Sequence, residues 1–149
     1  MHLSNAVLAR AAGHTVVRVL ALLGVERLLM GTHLDGVLRT VGLYSDDPVG
    51  AGLTAFLMVV VVAGVLGVAD GLLRRRTTST GLQLAVWAVV AALYGAASAS
   101  LGDWTGVGEW VFGAVLMGGL AAAGGLTGVA VGTALRLAVT PAATPGRPT

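Results

Sequence analysis

Three stretches of the chain run far past the length of an ordinary surface helix without meeting a charge. Val49 to Ala69 and Gly81 to Leu101 are 21 residues each, and Val111 to Leu135 is 25. About 20 apolar residues in a helix cross roughly 30 Å of hydrocarbon, and the longest stretch crosses with some tilt. The pattern therefore predicts three membrane-spanning helices.

A fourth apolar segment, Ala6 to Met30, is interrupted by Arg10, His14, Arg18, Glu26 and Arg27. One reading is a spanning helix whose polar residues face its neighbours. The other is an amphipathic helix lying in the headgroup plane. Arg10, His14, Arg18 and Glu26 share a four-residue spacing, with Leu22 at the missing step. That spacing winds slowly along one helix face and suits both readings, so the distribution of charge has to decide.

Arginine favours the cytoplasmic side of short loops. Arg74, Arg75 and Arg76 separate the second and third apolar segments and place that loop inside. Asp103 and Glu109 then fall in an outer loop, Arg136 and Arg147 inside, and Asp46 and Asp47 outside. If residues 6–30 span, six arginines lie inside, Arg27 and Arg39 lie near the outer side, and Arg18 lies within the membrane. A three-span arrangement would strand Arg10 and Arg18 outside. The expectation is an all-α integral membrane four-helix bundle with both termini cytoplasmic. Its spans are about 6–30, 49–69, 81–101 and 111–135, within one transmembrane domain over residues 1–139.

Between the first two spans, Leu34, Val37, Leu38 and Val41 follow the i, i+3, i+4, i+7 spacing of an amphipathic helix. This predicts a short interfacial helix in the first outer loop, with Tyr44 at headgroup depth. Trp104 and Trp110 bracket the second outer loop as an aromatic belt would. Residues 140–149 hold three of the four prolines and read as a disordered cytoplasmic tail.

Composition sharpens this picture. Apolar residues make up 56% of the chain and charged residues 11%, against about 25% charged in soluble domains. Too few polar side chains remain to cover a water-facing surface, and a lipid bilayer removes that need. All nine basic residues are arginines, which beside abundant Ala, Gly and Val fits codon bias in a GC-rich genome rather than arginine chemistry. The expected location is multi-pass in a bacterial inner membrane. No basic face suits nucleic acid. There is no cysteine, which excludes disulfides, thiolate metal sites and thiol catalysis. The arginines scattered through the first apolar stretch argue against a cleavable secretory signal.

Candidate chemistry is sparse. A carboxylate in a membrane helix is costly and tends to be paired or functional. Glu26 is either a proton-exchanging group, since a carboxyl taken out of water holds a proton more readily, or a headgroup-level acid beside Arg27. Arg18, midway along its span, should face the bundle interior, either pairing with an acid or binding an anionic group. His14, one turn earlier, is a proton-relay candidate or an ordinary hydrogen-bonding residue. His2, His14 and His33 lack metal-ligand spacing, so no metal site is expected. Trp87 and Tyr94, seven apart, share a face of the third span and either stack on an aromatic or cationic ligand or pack. Asp70 reads as a partner of nearby Arg74.

Gly124, Gly128 and Gly132 form a GxxxGxxxG series, and Gly64, Gly67 and Gly71 a shorter small-residue face. Glycines four apart permit close backbone approach, either in a homodimer contact or in an internal seam. No nucleophile elbow, phosphate loop, zinc motif or carboxylate pair is present, so neither an enzyme nor a cofactor is expected.

The Val16-Val17-Arg18 step, the Gly67-Val68-Ala69-Asp70-Gly71 helix end and the arginine-rich loop after it resemble a bacterial four-helix branch of the drug/metabolite transporter superfamily. The resemblance covers the first half of the chain. It implies a small transporter-like fold of four helices assembled as a dimer. Small multidrug exporters of that superfamily carry an essential glutamate in the first helix. Glu26 occupies the same helix nearer its outer end, and the role is not carried over.

Two functions are compatible with these residues. One is an oligomeric, proton-coupled transporter of small organic solutes or cations. The other is an accessory or assembly subunit of a larger membrane complex.

Overall fold

The computed structural model describes residues 5–30, 48–73, 80–102 and 105–139, and these are helical almost throughout. Four helices follow in chain order: α1 (Asn5–Met30), α2 (Pro48–Leu73), α3 (Thr80–Leu101) and α4 (Val107–Val139). Each apolar run seen in the sequence lies inside one helix. Pro48 opens α2 at the position where its missing N–H costs nothing. At the start of α4, the Thr105 backbone N–H and hydroxyl both donate to Glu109 Oε2 at 3.2 Å. An acid at this helix end, and Arg136 in the last turn, complement the helix dipole. The expected interfacial helix over 32–47, the arginine loop 74–76 and the tail 140–149 lie outside the described residues.

α2, α3 and the long α4 are each long and apolar enough to cross a membrane. Their outward faces agree with this: Leu57, Val61, Val65, Val89, Leu93, Phe112 and Val115 are among the large apolar side chains left exposed. A surface of this kind is paid for by lipid rather than water.

The bundle is a four-cornered ring. α4 packs closely against α2 and α3, α1 closes the ring against the same two helices, and α1 and α4 do not approach each other. Register follows from the contacts. Gly124 lies against Val60, Gly128 against Gly64 and Gly132 against Val68, so α2 and α4 run parallel. Gly95 lies against Ala114 and Gly118, and Gly125 against Trp87, so α3 and α4 run antiparallel.

At these glycines there is no room for a side chain. A Cβ on Gly67, Gly71, Gly128 or Gly132 would strike backbone atoms of the facing helix. Both glycine faces noted in the sequence therefore meet each other in one internal α2–α4 seam. The core behind it is a single cluster containing Leu22, Val59, Ala63, Trp87, Val90, Tyr94, Met117 and Ala121.

Candidate functional site

α1 is built inside out compared with a helix of a soluble protein. Thr15, Leu22 and Glu26 are buried, and Arg18 faces the same way, whereas Val16, Val17, Leu20 and Leu28 are exposed. A helix on a membrane surface would turn its charges to water and its leucines inward. Here the polar stripe faces the other helices, and the aliphatic residues face out.

Arg18 forms a three-residue cluster. Its Nη2 lies 2.5 Å from Asp70 Oδ1 near the end of α2. The other carboxylate oxygen of Asp70 accepts a hydrogen bond from Trp87 Nε1 of α3 at 3.1 Å. The guanidinium also sits 5.8 Å from the centre of the Trp87 ring, within the range of cation–π attraction. One arginine is thus held by an acid and a ring on two different helices. The pair is formally neutral, which makes it tolerable at depth. Asp70 serves this cross-helix bridge, with both carboxylate oxygens occupied, and Arg74 lies outside the described residues.

Two turns further along α1, Glu26 is only 4% exposed. Tyr94 donates its hydroxyl to Glu26 Oε2 at 2.9 Å, and Ser98 donates to Oε1 at 2.8 Å. Both donors come from α3, where their four-residue spacing puts them on one face. Among the described residues no cation pairs with this carboxyl. Chemically it is a buried acid with each oxygen met by one hydroxyl.

The candidates singled out in the sequence thus separate into two stations. Arg18, Asp70 and Trp87 meet at one, and Glu26, Tyr94 and Ser98 at the other. His14 lies on an exposed side of α1 and joins neither. The expected acid partner of Arg18 is Asp70, which the sequence does not name, and Ser98 is a further residue that it does not single out. Ser98 is one turn beyond Tyr94 on a face already marked by Trp87, and that periodicity is the signal that identifies it.

Among the described residues two buried polar atoms have no hydrogen-bond partner, Arg18 Nη1 and Gln83 Oε1. No group of three or more potential metal ligands occurs among the described residues. On the far side of α3, an open apolar groove of about 420 Å³ runs between α3 and α4, lined by Ala92, Ala96, Gly119, Ala122 and Trp110 among others. It is separate from both stations. Comparison with protein-family models, with curated proteins and with solved structures returns no match.

Proposed function

We propose that this chain is a small four-span carrier of the inner membrane of a bacterium, moving a small organic solute or cation in exchange for protons and acting as an oligomer. The observation that carries the reading is Glu26, a buried carboxyl held by two neutral hydroxyl donors and, among the described residues, by no cation. A buried carboxyl without a counter-charge is the kind of intramembrane acid that tends to be functional.

The inside-out character of α1 supports counting it as the fourth span, and the arginine distribution supports cytoplasmic termini. An oligomer follows from size. Four helices packed on a continuous core leave no passage along the centre, so a solute pathway requires a second copy.

The test is Glu26→Gln in proteoliposomes carrying an internal pH dye. Solute-driven proton movement should be present in the parent protein and absent in the variant. Equal movement in both would remove Glu26 from the coupling and with it the case for a carrier.

The α3–α4 groove favours a second reading, an accessory subunit that receives a helix of a larger membrane complex against its small residues. Extraction in native lipid particles at natural abundance separates the two. A particle containing copies of this chain alone supports the carrier, whereas stoichiometric larger subunits support the accessory role.

A further inference from the structure

We propose that Leu22 is the hydrophobic barrier between two polar compartments of the bundle interior, keeping Glu26 out of proton exchange with the side on which Arg18 and Asp70 lie. This rests on the reading of Glu26 as a proton site and adds the element that would make its exchange one-sided.

Leu22 lies four residues from Arg18 and four from Glu26 on the same buried stripe of α1. At about 1.5 Å rise per residue, the two polar stations are about 12 Å apart along the helix, with Leu22 midway. Its side chain is fully buried, at 0% exposure, and belongs to one cluster with Ala63 of α2, Val90 of α3 and Ala121 of α4, each also at 0%. Between the stations α1 therefore presents an aliphatic side chain to an aliphatic core. Constrictions of this kind stop ions by excluding water, and this one is about a single side chain thick.

Leu22 is also placed where a barrier can be moved. Ala63 and Ala121 are small, and Val90 stands on α3, which is locked to α4 at Gly95 and Gly118. Leu22 is the largest of the four. It stands on α1, which makes no glycine seam with its neighbours and meets them through the apolar packing of Leu22, Val19 and Leu23 together with hydrogen bonds and one ion pair. Polar contacts of this kind can be exchanged for others, whereas interlocked backbones cannot slide without separating.

The experiment measures passive proton leak in liposomes clamped with potassium and valinomycin, with no transported solute present. The parent protein is compared with Leu22→Asn, Leu22→Ile and the double variant Leu22→Asn with Glu26→Gln. Leu22→Asn should raise the leak about tenfold, as for a barrier lowered by about 1.4 kcal/mol. Leu22→Ile should stay at the parent level, and the double variant should return to it.

A folded Leu22→Asn protein with the parent leak overturns the barrier. A leak that persists in the double variant overturns the link to Glu26. If Leu22→Asn fails to fold, Leu22→Ala, which thins the layer without adding a polar group, is read in the same way. The leak needs no solute, so its failure leaves solute-coupled exchange by the parent protein standing. Conversely, a parent protein without coupled exchange removes the carrier while a Leu22-dependent leak still stands.

Discussion

Glu26 accepts hydrogen bonds from two side chains of one helix, and these donors can be removed singly without disturbing the backbone. Tyr94→Phe and Ser98→Ala should each destabilise the bundle by about 0.6–2 kcal/mol, the span measured for hydrogen bonds between membrane helices. Reversible unfolding in mixed micelles would check this, and the two losses should not add, since both act on one carboxyl. Arg18 behaves differently. Arg18→Leu leaves Asp70 without its counter-charge and should cost about 3 kcal/mol, whereas the double change Arg18→Leu with Asp70→Leu should recover most of that loss. If the double variant were as unstable as the single one, the ion pair would not be what holds α1 in place. Arg18 and Glu26 stand out in the sequence because charge inside an apolar run is rare. Their partners do not, because which residues face them depends on how helices 52 to 72 positions away are rotated. Proximity along the chain points Asp70 to Arg74, which lies outside the described residues, whereas the fold brings Asp70 to Arg18.

The helices divide into two kinds by how they are fastened. α2, α3 and α4 approach through glycine, and α1 through polar side chains. Gly128→Val should therefore prevent stable assembly, because its side chain would strike the α2 backbone at Gly64. Gly119→Val, nine positions earlier and with nothing within 4 Å of an added Cβ, should leave thermal unfolding nearly unchanged. A comparable loss in both would argue against the internal seam. The existence of α2, α3 and α4 was legible from length and apolarity alone. Their pairing was not, because a glycine series announces close approach without naming the helix that approaches. For α1 the sequence left two orientations open, and the burial of Glu26 with exposure of Leu20 and Leu28 supports the spanning one proposed above. Since the chain has no cysteine, a single Cys at position 20 can be tested directly. It should resist a water-soluble maleimide in intact membranes and react with a lipid-soluble one.

As a whole the bundle is apolar outside and polar in two small places inside, an arrangement suited to hydrocarbon. The oligomer proposed above is a property tested at this scale. If copies of the chain associate through the α3–α4 groove, Ala96→Trp should fill it and lower the particle mass in lipid nanodiscs to that of one chain, with helical content unchanged. An unaltered mass would place any contact between copies elsewhere. The amino-acid pattern announces an apolar exterior but not the groove, which exists only because small residues on two helices happen to adjoin.

One contact ties the two kinds of helix together. The indole of Trp87 rests directly on Gly125 of α4, while its Nε1 holds Asp70 and its ring lies beside Arg18. α4 never approaches α1, yet a methyl group added at position 125 would lift the ring that positions the arginine of α1. Genetics would see this as epistasis at a distance. Gly125→Ala should show its defect at the Arg18–Asp70 clamp, and second-site suppressors should arise by trimming the bulk of residue 87 or by refitting residue 18, on helices other than the one that carries the lesion.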